Sequence, residues 1–120
     1  MSNNATYRKI TLNGEDHVLK YDFNAISELE CLYDKGIFRV VTEETMGFNT
    51  IRSILWAGML WRNPQLKVHH VGNMLEQEMD ENEDFDFTEL MKFTTEVLYT
   101  SKAFKLLAKR AEKEEKEGKN

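Results

Sequence analysis

The chain has 120 residues and a formal net charge of −5, with 41% hydrophobic and 11% aromatic residues. This composition is typical of one folded domain and excludes wholesale disorder. Nucleic-acid binding is not expected, because the only segment dense in Lys and Arg, KLLAKRAEKEEKEGK, is diluted by four glutamates.

An N-terminal β-hairpin is predicted over residues 6–23, where apolar and polar side chains alternate on both sides of the turn signal Asn13-Gly14. Two strands with a single apolar face are marginally stable alone, so we expect the hairpin to pack on helices, with Phe23 at the corner. Pairing across the turn places five apolar side chains on that face: Ile10, Leu12, Leu19, Tyr21 and Phe23.

The first helix is predicted over residues 24–35. Asp22 or Asn24 can cap its start, and Gly36 is expected to end it in a left-handed conformation. The single cysteine, Cys31, excludes an intramolecular disulfide and is expected to be a buried, inert thiol. The helix has an apolar stripe that should face the core: Ala25, Ile26, Leu29, Leu32 and Tyr33.

Residues 37–46 are compatible with two structures. The run IFRVV is compatible with a strand and with an irregular connection, and both are left open.

A second helix is predicted over residues 49–62, ended by Asn63-Pro64, and a third over residues 68–79. Every residue from Ile54 to Trp61 is apolar or glycine, so the second helix is expected to be central or to keep one face for a partner. Trp56 is expected in the core. The third helix has an apolar side formed by Val68, Val71, Leu75 and Met79.

The last helix is predicted over residues 86–108, because Asp86 and Glu89 have the spacing of a capping box. Residues 109–120 are expected to form a charged helical extension that frays. Residues 1–108 then make a single globular domain of the α+β class, an N-terminal β-hairpin packed on a mainly helical bundle of about four helices. The stripe of the last helix contains Leu90, Phe93, Val97, Phe104 and Leu107.

Two groups of potential metal ligands do not have the spacing that a metal site requires. His69 and His70 are adjacent, so in a helix they point about 100° apart and cannot grip one ion from one face. The alternating acidic run of residues 80–86 lacks the glycine and glutamate of a calcium loop, whose positions are taken by Phe85 and Met91. We expect no metal site.

Catalytic and membrane-spanning motifs are not found either. The chain has no nucleophile elbow and no phosphate-binding glycine loop, so we expect no enzyme and no cofactor, unless separate residues assemble a site in three dimensions. The opening MSNNATYRK lacks the apolar core of a signal peptide, and the longest apolar run, Ile54 to Trp61, is shorter than the roughly 20 residues of a membrane span. A soluble, cytoplasmic protein is expected.

Aromatic side chains are the best candidates for contact with a partner. The chain has two tryptophans, seven phenylalanines and six methionines, most of which should form the core. Trp61 at the end of its helix, and Phe85 and Phe87 beside an acidic loop, are harder to bury. Aromatic residues with a polar rim are typical anchors of protein interfaces, so these three are predicted partner-binding residues.

Two segments resemble the small tail assembly chaperones of long-tailed bacteriophages and related proteins of gene transfer agents. That family has a strand like TLNGKxYxLxFxxNAxxELE and a later segment like LLWAGLxxxxPxLTxExVGxLL. The resemblance covers about the first two-thirds of the chain, although Lys67 stands where the family often has a helix-capping threonine. The matching residues are Leu12, Asn13, Gly14, Leu19, Phe23, Asn24, Ala25, Glu28, Leu29 and Glu30, then Leu55, Trp56, Ala57, Gly58, Pro64, Leu66, Val71, Gly72 and Leu75.

The resemblance implies a noncatalytic protein of the host cell cytoplasm. Such a chaperone binds the phage tape measure protein, a long and aggregation-prone helical chain, and keeps it soluble. It also promotes polymerisation of the tail tube protein and does not remain in the mature virion. A homo-oligomer is left open. The alternative is a structural virion component, such as a tail completion or connector protein.

Overall fold

Two antiparallel strands and six helices make up the part of the chain that the computed structural model describes, residues 7–118. The α+β class is confirmed, whereas the expected number of helices, about four, is too low. Position 6 of the predicted hairpin and positions 119–120 of the predicted extension lie outside the described residues. The elements are β1 (Tyr7–Leu12), β2 (Glu15–Lys20), α1 (Phe23–Tyr33), α2 (Ile37–Glu43), α3 (Phe48–Met59), α4 (Val68–Glu81), α5 (Phe87–Tyr99) and α6 (Lys102–Gly118).

The hairpin has the predicted turn and register. Asn13-Gly14 adopts positive φ values of 56° and 80°, which asparagine and glycine tolerate best. Ile10 pairs with His17, so Ile10, Leu12 and Leu19 share one face, as predicted. Leu12 and Leu19 are buried in the core.

Tyr21, and not Phe23, joins the hairpin to the helices. The prediction for Phe23 is wrong: α1 begins at this residue, the strand alternation no longer applies, and the side chain is 81% exposed. Tyr21 is buried, and its hydroxyl donates to the Ile54 carbonyl of α3 at 2.6 Å. Burial disfavours the phenolate and raises the pKa of Tyr21.

Helix α1 begins after Asp22, whose carboxylate accepts a hydrogen bond from the Ala25 N–H at 2.9 Å. The helix ends at Asp34, which takes the left-handed conformation with a φ of 55°. The role predicted for Gly36 is therefore wrong. Gly36 has a φ of −64° and is the N-cap of α2. Aspartate tolerates the left-handed region better than most residues, and here it takes the place of glycine.

Two side chains of α1 that were expected in the core are exposed. The buried face contains Ala25, Ile26 and Leu29. Cys31 lies about 200° around the helix from Leu29, so its thiol is exposed, contrary to the prediction. Leu32 is 46% exposed at the edge of the buried face.

The segment left open between strand and connection forms helix α2. The Glu30 carboxylate accepts a hydrogen bond from the Ile37 N–H at 2.7 Å, so a side chain of α1 caps the start of α2. Ile37 and Val40, one turn apart, are both buried. Packing and this cap outweigh the strand preference of a β-branched segment.

Helix α3 is central, as predicted, and contacts β2, α1, α4 and α5. Trp56 is half-buried beside the core, and its indole Nε1 donates to the Leu66 carbonyl at 2.8 Å, which holds the connection to α4. The buried residues of α3 are Thr50, Ile51, Ser53, Ile54, Leu55, Ala57, Gly58 and Met59.

The helix predicted over residues 86–108 is two helices, α5 and α6. The Ser101 hydroxyl donates to the Leu98 carbonyl at 2.7 Å and accepts from the Phe104 N–H at 3.3 Å. Hydrogen bonds of this kind compete with the helix backbone, so they end α5 and cap α6. Helix α6 continues through the charged segment as far as Gly118.

One hydrophobic core contains residues of both strands and all six helices. At its α6 end, the Phe104 ring stacks on Tyr99 with centroids 4.9 Å apart and meets Phe38 edge-on at 5.4 Å. Phe93, which was expected in the core, packs against it while partly exposed. Among residues 7–118, no helix is long and apolar enough to cross a membrane.

Candidate partner-binding groove

An open groove of about 420 Å³ lies between the start of α3, the middle and end of α4, and the connection into α5. Its apolar part is formed by Phe48, Leu75, Met79, Phe85 and Phe87, and its polar part by Asn49, Arg52, Gly72 and Glu76. These nine residues are called the groove below.

The acidic connection before α5 places two aromatic residues in the groove. The Asn82 side chain accepts from the Asp84 N–H at 3.0 Å, and its carbonyl accepts from the Phe85 N–H at 3.0 Å, which closes a turn. The Asp86 carboxylate then accepts from the Thr88 N–H at 2.9 Å and caps α5. The acidic run is thus a turn followed by a helix cap, and it carries Phe85 and Phe87 to the side of α4.

Two large apolar side chains of the groove are strongly exposed. Phe48, the first residue of α3, is 77% exposed, and Met79 near the end of α4 is 50% exposed. The rings of Phe48 and Phe87 lie 4.6 Å apart at their centroids. Large exposed apolar residues that adjoin one another in a concave surface are typical of interaction sites.

The sequence pattern indicated Phe85 and Phe87 but not the rest of the groove. Phe48 had no signal, because its partner Phe87 is far away along the chain. Met79 belongs to the predicted apolar side of its helix. The fold shows that this side extends past the core, so that Met79 is exposed in the groove. Arg52 was hidden in an apolar helix with no motif around it.

Arg52 is the half-buried charge of the groove. Its Nη2 donates to the Asn49 side-chain oxygen at 2.9 Å. Its Nε is buried and has no hydrogen-bond partner among the side chains that the structure describes. The other charged residue of the groove, Glu76, is exposed.

Trp61, the third predicted partner-binding residue, lies outside the groove. It is 37% exposed, and its indole Nε1 donates to the Val18 carbonyl of β2 at 2.9 Å. The ring meets Tyr7 at 5.5 Å and lies 5.3 Å from the Lys20 ammonium. The structure therefore brings Phe85 and Phe87 together and places Trp61 against the hairpin. A partner-binding role for Trp61 stays a prediction.

The face of α4 that meets the hairpin is held by Asn13. The backbone N–H of Asn13 donates to the Glu78 carboxylate at 2.7 Å, and its side-chain amide donates to the Met74 carbonyl at 3.2 Å. The hydrogen bond from Asn13 favours the ionised carboxylate and lowers the pKa of Glu78. The helix that forms one wall of the groove is thereby tied to the hairpin turn.

The two adjacent histidines, His69 and His70, lie at the start of α4. The His70 Nδ1 accepts a hydrogen bond from the Lys67 N–H at 3.0 Å. Lys67 is the N-cap of α4, so His70 satisfies a backbone donor at the start of the helix. The His69 and His70 rings are 4.3 Å apart. In the part of the chain that the structure describes, no group of three or more His, Cys, Asp or Glu could hold a metal ion.

No family model, curated protein or solved structure matches this chain. Function is therefore inferred from the groove and from the resemblance of the two segments.

Proposed function

We propose that this chain is a noncatalytic tail assembly chaperone of a long-tailed bacteriophage, and that it binds the tape measure protein through the groove. The observation that carries the proposal is the exposed channel of phenylalanine, methionine and leucine between α3, α4 and α5. A channel of this kind suits the apolar face of an amphipathic helix.

A tape measure protein is a long helical chain whose apolar faces promote aggregation. A chaperone for such a chain needs a surface that accepts many similar segments and releases them as the tail tube protein assembles. Methionine is suited to this task because its unbranched side chain adapts to different partners. The groove is open and rimmed by polar residues, which favours reversible binding.

The residues that carry the resemblance also support the proposal, because several have structural roles here. Asn13-Gly14 forms the hairpin turn with positive φ values. Gly58 leaves room for Tyr21, and Gly72 leaves room for Arg52 beside the groove. A family that shares these residues is expected to share the packing of hairpin, α3 and α4.

Coexpression tests the proposal directly. The tape measure protein encoded in the same genome is produced with and without this chain, and its soluble fraction is measured. We expect a higher soluble yield and copurification of the two proteins. If the yield does not rise and nothing copurifies, the chaperone function is wrong.

Mass spectrometry of purified virions tests the proposed localisation. A chaperone acts in the host cell cytoplasm and is missing from finished particles. Detection of this chain at a fixed number of copies in each particle would instead identify a tail completion or connector protein.

A further inference from the structure

The groove contains a positively charged side chain, that of Arg52, with a nitrogen that lacks a hydrogen-bond partner among the described residues. Arg52 is half-buried, and among the side chains that the structure describes its guanidinium hydrogen-bonds to the neutral amide oxygen of Asn49 at 2.9 Å. Its Nε is buried without a partner among the described side chains, and none of the ion pairs that these side chains form includes it. A partly desolvated charge that has no counter-charge is unfavourable, so a carboxylate supplied from outside would be strongly attracted.

Gly72 allows Arg52 to take this position. A Cβ at residue 72 would lie 3.2 Å from the Arg52 Cδ and 3.6 Å from its Nη1. The arginine therefore packs closely against the backbone of α4, and a Cβ at residue 72 would make it shift by a few tenths of an ångström. Both residues line the groove.

Glu76 does not neutralise Arg52. It lines the same groove, but it is exposed and forms no ion pair with the guanidinium. Water screens an exposed carboxylate, so its effect at Arg52 is weak.

We propose that Arg52 selects a helical partner segment that carries Asp or Glu beside its apolar stripe. The stripe packs on Phe48, Met79 and Phe87, and the acidic side chain accepts hydrogen bonds from the terminal nitrogens of Arg52. Arginine suits this task because its planar fork matches a carboxylate in a bidentate pair. The proposal rests on the proposed function only in taking the partner to be a helix of the tape measure protein.

Synthetic peptides test the charge preference. Three amphipathic helices of about 15 residues share one apolar stripe and differ at a single position beside it, which is Glu, Gln or Lys. A second set places that position on the other flank, because either orientation in the groove is allowed. Fluorescence anisotropy with the full chain should show the Glu peptide binding about tenfold more tightly than the Gln peptide on one flank, and the Lys peptide binding most weakly.

Two variants separate recognition from folding. Arg52→Gln should bind the three peptides about equally, whereas Arg62→Gln, at an exposed arginine outside the groove, should keep the wild-type order. Arg52→Glu should prefer the Lys peptide, a reversal that loss of structure cannot produce. Thermal unfolding of each variant shows whether it is folded.

Each contrary result overturns a different statement. Equal binding of the Glu, Gln and Lys peptides to the wild-type chain overturns the role of Arg52 but not the groove. If no peptide binds while the tape measure protein is still kept soluble, the groove is not the site, although the chaperone function stands. A self-association of the free chain that Arg52→Gln abolishes would make a second copy the occupant and overturn the proposal.

Discussion

The Tyr21 ring lies against the backbone of Gly58, where a Cβ would come within 2.7 Å of both its Cζ and its hydroxyl oxygen. The same hydroxyl donates to the Ile54 carbonyl, one turn earlier in α3. The contact is fully buried and sets the distance between the end of the hairpin and the central helix. A residue larger than glycine at position 58 would therefore have to displace the Tyr21 ring.

We expect Gly58→Ala to destabilise the protein, although alanine is the better helix former. The added methyl group collides with a buried ring, and overpacking outweighs the gain in helix propensity, for a net loss of about 1–2 kcal/mol. Chemical denaturation measures the change. Gly47→Ala is the control, because nothing lies within 4 Å of its Cβ position and the expected change is below about 1 kcal/mol. A stabilised Gly58→Ala variant would contradict the close contact.

Two buried tyrosine hydroxyls should respond differently to removal. Tyr21→Phe loses the hydrogen bond to Ile54 and should lower the free energy of unfolding by about 1 kcal/mol. The Tyr33 hydroxyl is buried without a partner among the described residues, so Tyr33→Phe should be neutral or stabilising. Urea unfolding of both variants checks the comparison. If both substitutions lowered the free energy of unfolding equally, the hydrogen bond from Tyr21 to Ile54 would make no specific contribution to stability.

The contact between Glu78 and Asn13 should make stability depend on pH in the acidic range. The hydrogen bond from Asn13 lowers the pKa of Glu78 from its ordinary value of 4.5. The contribution of the ionised carboxylate is complete above that ordinary value and is lost as the pH falls through the lowered pKa.

When the pH is lowered from about 6 to about 3, the free energy of unfolding of Glu78→Gln should therefore fall less than that of the wild type. Denaturation midpoints at several pH values measure the difference. Glu83→Gln, at an exposed carboxylate outside this contact, controls for the loss of one negative charge. Parallel pH profiles of Glu78→Gln and the wild type would rule out the contribution.

Phe48→Ser should weaken binding of the tape measure protein without unfolding the chain. Removing an aromatic anchor from the groove should lower the binding free energy by about 1–2 kcal/mol. Because Phe48 is 77% exposed, stability should change by less than about 0.5 kcal/mol. Pull-down from coexpressed lysates measures the binding.

The matched control is Phe23→Ser. Phe23 is 81% exposed and lies outside the groove, so the substitution removes a similar exposed ring elsewhere. Equal retention of the tape measure protein by both variants would show that the groove is not the binding surface.

Trp61→Phe separates a structural role from a partner-binding one. The substitution removes the hydrogen bond to Val18 and should cost about 1 kcal/mol of stability. An unchanged yield of copurified tape measure protein would then assign Trp61 to the fold, and a reduced yield in a folded variant would support its predicted contact with a partner.

Local signals predicted the elements that depend on neighbouring residues. The hairpin followed from Asn13-Gly14 and the alternation around it, since turn geometry sets the register. The start of α5 followed from Asp86, whose side chain reaches the next residues along the chain. The central position of α3 followed from its continuous apolar run.

Elements that depend on distant contacts could not be predicted in this way. The cap that starts α2 comes from Glu30 on another helix, so the β-branched run around Val40 carried no local signal for a helix. The break before α6 had a signal in Ser101, a good capping residue, but it was hidden within a continuous apolar stripe. The pairing of Phe48 with Phe87 depends entirely on how α3 and α5 pack.

The hydrogen bond from Trp61 to Val18 also affects how copies of this chain meet. An edge strand offers unpaired carbonyls and N–H groups to any other strand, which makes it a starting point for aggregation. Here an indole occupies the Val18 carbonyl, and its ring covers that part of β2. A strand from another molecule would have to displace Trp61 to pair at this carbonyl, so the indole disfavours growth of the sheet along this edge.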